Sequence, residues 1–65
     1  MKIIVNGEAQ ETRASTLAAL LDELGKGAAK VATSVNEAFV PKQQRADHSL
    51  HEGDRVEIVA PRQGG

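Results

Sequence analysis

Leu17, Leu20, Leu21 and Leu24 stand at spacings i, i+3, i+4 and i+7, which places four leucines on one stripe of a helix. Asp22 and Glu23 fall off the stripe. Ser15 or Thr16 is positioned to cap the helix start, and Gly25 stands where a helix ends in a left-handed residue. No second stretch of the 65 residues repeats this pattern. A single amphipathic helix cannot bury its stripe alone, so the rest of the chain must supply a sheet with one apolar face.

Strand signals lie on both sides of the helix. Lys2–Asn6 is short and β-branched, with Ile3 and Val5 on one face and Ile4 on the other. Asn6-Gly7 follows at once, and both residues tolerate the positive φ of a tight hairpin turn. The return strand, Glu8–Arg13, is mostly polar and reads as an edge strand. Val31–Asn36 is a further strand with Val31, Thr33 and Val35 on one face. Asn36-Glu37 suits a turn, and Phe39-Val40 resumes extended chain. Lys42–Glu52 reads as a polar loop whose inward anchor is Leu50. Arg55–Ala60 is the last strand, with Val56 and Ile58 facing one way, Glu57 and Val59 the other. Pro61 lacks the N–H needed to continue pairing. The reading is α+β: one mixed sheet wrapped over one main helix, the last strand parallel to the first. It comprises a domain over 1–60 and a flexible tail over 61–65, Pro61-Arg62-Gln63-Gly64-Gly65.

Composition narrows the function classes. A chain this small buries only about 60% of the surface exposed when unfolded, leaving little core to hollow out for a deep active site. Eight basic residues oppose nine acidic ones, which is not the charge of a nucleic-acid binder. One aromatic residue, Phe39, is no base-stacking platform. No apolar run approaches the roughly 20 residues of a membrane helix. With no cysteine, any sulfur chemistry must avoid a thiol side chain. Met1-Lys2 leads directly into a strand-like segment, so no signal peptide is expected and the expected location is the cytoplasm.

The order hairpin, helix, strand, short strand, strand, with Gly64-Gly65 at its end, resembles the ubiquitin-like β-grasp proteins. The resemblance is most specific to the sulfur carriers of thiamine biosynthesis, the ThiS family. The matching residues are Ile3–Gly7, Thr16–Leu24, Val31–Asn36, Phe39-Val40-Pro41, Leu50, Gly53–Val59 and Gly64-Gly65. The resemblance implies a β-grasp fold and a working group at the C-terminal carboxylate of Gly65. A ubiquitin-activating-type adenylyltransferase would adenylate that carboxylate, and a sulfur donor protein would supply the sulfur of a thiocarboxylate. Thiazole synthase would receive the sulfur. The chain itself would be a monomer, no enzyme, without catalytic residue, cofactor or metal. Two other readings share the fold and tail: the small subunit of molybdopterin synthase and a ubiquitin-like protein modifier.

The tail suits such chemistry. A C-terminal carboxyl has a reference pKa of about 3.3–3.7, so it is ionised at neutral pH. Gly64 and Gly65 lack Cβ atoms and can pass a narrow channel, followed inward by Gln63 and Arg62. Five extended residues reach roughly 17 Å at ~3.3–3.6 Å each. The expected docking surface is Ile4, Phe39 and Val59, apolar residues on the sheet face away from the helix, together with Pro61. His48 and His51, near Asp47, Glu52 and Asp54, are the residue types of a zinc site, but read better as solvated loop side chains. Lys42 and Arg45 read as solvated cations on the same loop. Gly25-Lys26-Gly27 follows a helix rather than opening one, so it is no phosphate loop.

Overall fold

A computed structural model describes residues 1–60. The expectations placed on 61–65 lie outside the described residues. The chain runs β1 (Lys2–Val5), β2 (Glu8–Glu11), α1 (Leu17–Glu23), β3 (Ala32–Val35), β4 (Ala38–Val40), a 3₁₀-helix (Lys42–Asp47) and β5 (Arg55–Val59). The five strands form one sheet in the order β2-β1-β5-β3-β4. The expected mixed topology is present: β1 pairs with β5 in parallel, and the other pairs are antiparallel. The last strand therefore lies at the centre of the sheet, and the polar β2 forms one edge.

Local chemistry accounts for the turns and the helix ends. Asn6 and Gly7 take φ of 50° and 84°, the double positive φ that a two-residue hairpin turn needs. Asn36 and Glu37 do the same at 52° and 73°, although glutamate is poorly suited to that region. Thr16 caps α1, its Oγ1 accepting from the Ala19 N–H at 3.2 Å. At the other end Gly25, at φ 77°, turns the chain so that its N–H reaches the Asp22 carbonyl and the Lys26 N–H reaches that of Leu21. Two carbonyls that the helix leaves open are thereby satisfied.

Leu17, Leu20 and Leu21 are buried against Ile3, Val5, Val35, Val56 and Ile58, with Leu24 partly buried at the margin. Leu50 joins this core as expected. It is held by two bonds across the start of α1, Leu17 N–H to the His48 carbonyl and Leu50 N–H to the Ser15 carbonyl.

The segment after β4 departs from the expectation. Lys42–Asp47 is a 3₁₀-helix rather than a loop. Arg45 is 8% exposed, not solvated. Its Nε donates to Thr33 Oγ1 at 3.0 Å and its Nη2 to the Val31 carbonyl at 2.6 Å. Thr33 Oγ1–H in turn donates to the Val40 carbonyl at 2.8 Å. A buried guanidinium is tolerated when its donors find acceptors, and Val31 and Thr33, at the start of β3, supply them here. Phe39 also differs from the usual fate of a lone aromatic, being 69% exposed. Its register opposite Ser34 turns it to the outer face.

Candidate functional site

β5 precedes the Gly-Gly segment in the sequence, and a turn asparagine holds a backbone N–H near each of its ends. At its start, Asn36 Oδ1 accepts from the Arg55 N–H at 3.0 Å, and Asn36 Nδ2 donates to Asp54 Oδ1 at 3.0 Å. Near its end, Asn6 Oδ1 accepts from the Ile58 N–H at 2.8 Å while Asn6 Nδ2 donates to the Ile58 carbonyl at 3.2 Å. The Asn6 amide thus replaces a strand residue, bonding both polar groups of one backbone position. Each asparagine opens a tight turn, where its left-handed φ aims the amide back at the sheet. Sequence reasoning assigned these asparagines to turns alone. Their second use depends on β5 lying beside both turns, which no local signal encodes.

Of the expected docking residues, the structure places Ile4, Phe39 and Val59 on one face but does not bring all three together. Val59 is 59% exposed and pairs with Ala32, and Phe39 pairs with Ser34. Together with Glu57 these residues border a shallow hollow of about 140 Å³. Ile4 is half-buried and pairs with Arg55 and Ala9. It stands four positions down β5 from Val59, about 13 Å along a strand, with Glu57 between. The apolar surface near the end of β5 is therefore Phe39, Val59 and Ala32. Pro61, Arg62, Gln63, Gly64 and Gly65 lie outside the described residues.

The histidine-rich segment is structurally committed. Asp54, whose side chain is 12% exposed, accepts from Asn36 Nδ2 and, through Oδ2, from the His51 N–H at 2.8 Å. Burial raises its pKa, but these hydrogen bonds outweigh it and hold the carboxyl below its ordinary range. His51 Nδ1 stands 3.9 Å from the same carboxylate. Among the described residues no set of three potential ligands converges as a metal site would require. A cleft of about 450 Å³ beside the start of β1 is lined by Met1, Glu11, Thr12, Arg13 and Glu23. Its best-placed acid, Glu23, is held below its usual pKa by the Thr12 hydroxyl and then by the Arg13 N–H. That carboxylate ties β2 to α1.

No helix among the described residues is long and apolar enough to cross a membrane.

Comparison with known proteins adds to this geometry. The ThiS family model matches residues 3–65. The sulfur carrier protein ThiS of Escherichia coli (strain K12) is 32% identical over 66 residues, covering all of both chains. A thiazole synthase of Paramagnetospirillum magneticum is 46% identical over 66 residues, and there the whole of this chain spans only 20% of the relative's length. The crystal structure of a thiamine biosynthesis protein (ThiS) from Geobacter metallireducens superposes with a TM-score of 0.85 at 23% identity, covering both chains fully. At that identity the likeness speaks for the fold, which is the β-grasp.

Proposed function

The chain belongs to the ThiS family, and on that premise we propose that its reacting group is the C-terminal carboxylate of Gly65. The chain is a sulfur carrier of thiamine biosynthesis and is not itself an enzyme. The observation that carries the assignment of Gly65 is that the family match continues to residue 65, well past the last strand.

The chemistry balances with the chain as substrate. One Gly65 carboxylate oxygen attacks the α-phosphorus of ATP; pyrophosphate leaves and an acyl adenylate forms. A sulfur nucleophile then attacks the carbonyl carbon and AMP departs with the oxygen it bridged. Hydrosulfide as the nucleophile gives the thiocarboxylate directly. A donor persulfide gives an acyl disulfide, which a second thiol cleaves by attacking the donor-side sulfur. That leaves a disulfide on the donor and the thiocarboxylate on Gly65, so that one sulfur replaces one oxygen. In this reading an adenylyltransferase of the ubiquitin-activating type performs the first step and a sulfur donor protein feeds the second. The acceptor is thiazole synthase. The Paramagnetospirillum magneticum relative supports that choice, because a protein named thiazole synthase holds within its own length a stretch matching this entire chain. Gly64 keeps the approach to the carbonyl free of a Cβ, with Gln63 and Arg62 inside the partner's channel. Phe39, Val59, Pro61 and, lower on the face, Ile4 meet the partner's surface. The carrier works as a cytoplasmic monomer.

The test is intact-mass analysis after incubation with the adenylyltransferase, ATP and a sulfur source. The expected product gains one sulfur in place of one oxygen. ATP–pyrophosphate exchange should start on adding the chain and stop when Gly65 carries a C-terminal amide. Exchange that persists with the amide would remove Gly65 from the reaction.

A further inference from the structure

A second surface lies past the end of β5, at the end of the sheet's strands rather than on its apolar face. Ala32 opposite Val59 is the last pair between β3 and β5, and the strands are antiparallel. Residues 28–31 therefore continue past the end of β5, alongside the point where the chain leaves the sheet. They form one wall of a cleft of about 370 Å³ whose other wall carries Lys42 and Arg45. Lys30 stands on the first wall.

Three cations thus converge on one cleft, in a chain whose net charge is −1. Lys30 and Lys42 are exposed, and neither forms an ion pair among the described residues. Arg45 is different, because its guanidinium is fixed by Thr33 Oγ1 and the Val31 carbonyl. Both acceptors are neutral, so its charge is held in place without being cancelled. Asp22 borders the adjoining hollow with Lys42 and Arg45 but pairs with neither. The remaining lining residues, Ala28, Ala29, Val31 and Ala32, are small and apolar. They leave room for an inserted side chain, in a cleft that is open to solvent.

We propose that this cleft receives an acidic loop of the adenylyltransferase, its Asp or Glu carboxylates seated between Lys30 and Lys42 over the fixed Arg45 charge. The inference rests on the sulfur-carrier reading and gives it a second contact. An enzyme that takes in the tail must come up against the root of that tail, and the root is flanked by this cleft. Complementary rim charges mainly raise the association rate and set the salt dependence, whereas apolar contacts hold the complex. The charged cleft therefore steers the carrier onto its activating enzyme, and Phe39 and Val59 retain it.

The test compares wild type with a Lys30→Glu/Lys42→Glu double variant of the full chain. Arg45 is left alone because it also holds the fold. Both lysines are exposed, so the melting midpoint should stay within a few degrees of wild type. In ATP–pyrophosphate exchange with the purified adenylyltransferase, the double variant should raise the KM for the carrier about tenfold or more, with little change in kcat at saturation. Raising salt from about 50 to 300 mM should increase the wild-type KM, because exposed charges are screened over a shorter distance. That salt dependence should flatten or reverse in the variant. A Lys30→Gln/Lys42→Gln variant should fall between the two. A folded charge-reversed variant with a KM within twofold of wild type would overturn the docking site while leaving the sulfur-carrier reading intact. So would an unchanged salt dependence. A wild-type chain that starts no exchange at all would overturn both.

Discussion

Replacing Arg45 by methionine keeps an unbranched apolar stem in the core margin but removes the guanidinium. Two hydrogen bonds disappear, Nε to Thr33 Oγ1 at 3.0 Å and Nη2 to the Val31 carbonyl at 2.6 Å. Hydrogen bonds from a charged donor contribute about 1.5–3 kcal/mol each. The Val31 bond is only part-buried, so water can recover some of it. Thr33 Oγ1 still donates to the Val40 carbonyl but loses a partner inside the protein. The expected loss is about 2–4 kcal/mol. Against the roughly 3–10 kcal/mol typical of a chain this length, that is a large share.

Thr33→Val removes the shared acceptor at nearly constant volume and should cost about 1.5–3 kcal/mol. Because both variants break the same Nε–Oγ1 bond, the double variant should fall short of the sum by about 1–2 kcal/mol. The chain has neither tryptophan nor tyrosine, so urea unfolding is followed by far-ultraviolet circular dichroism. With a slope near 1 kcal/mol per molar urea, the Arg45→Met midpoint should fall by about 2–4 M. An Arg45→Met protein within about 0.5 kcal/mol of wild type, the level of ordinary surface sites, would refute the structural account of Arg45. Strict additivity of the double variant would refute the shared bond in particular.

Leu21→Ala, at a site 3% exposed, should cost about 2–5 kcal/mol, and an unchanged melting midpoint would contradict the packing. Glu37→Gly should raise stability by about 0.5–1 kcal/mol, since glycine suits φ of 73° and the exposed ion pair it forfeits with Arg55 contributes little; a lower melting midpoint would count against strain there. Glu23 and Asp54 both have pKa values below their ordinary 4.5 and 3.8. Their contribution is therefore complete above those values and is lost as pH falls through them toward the folded pKa. The melting midpoint should hold steady down to about pH 5, then drop, and Glu23→Gln should remove the upper part of that drop. Gly64→Val adds a stiff β-branched side chain outside the core elements; folding should change by less than about 0.5 kcal/mol, while thiocarboxylate formation measured by intact mass should collapse.

Much of the architecture was written locally. The leucine stripe, the Thr16 cap and Gly25 define α1 from spacing and backbone preference alone, and the structure places the stripe on Ile3, Val5, Val35, Val56 and Ile58 as the alternation of the strands requires. Asn6-Gly7 marks its hairpin because few residue pairs accept positive φ in succession. The segment after Pro41 was not readable in this way. Its 3₁₀-helix has no apolar periodicity, and Arg45 carries the signature of a surface residue.

What the sequence by itself determined is the set of faces and turns: which side chains must go inward, where the chain reverses, and that a Gly-Gly pair follows the last strand. What only the tertiary structure decided is which distant groups meet once those faces close. Val31 and Thr33 become the acceptors that let Arg45 be buried, and turn asparagines become clamps on β5 because β5 lies between β1 and β3. Ile4 is parted from Phe39 and Val59, although all three share the outer face. The physical reason is the range of the forces. Backbone preference and hydrophobic period act over a few residues and are visible in any window of sequence. A hydrogen bond spanning 52 positions, as between Asn6 and Ile58, exists only after the sheet order has brought its partners within 3 Å.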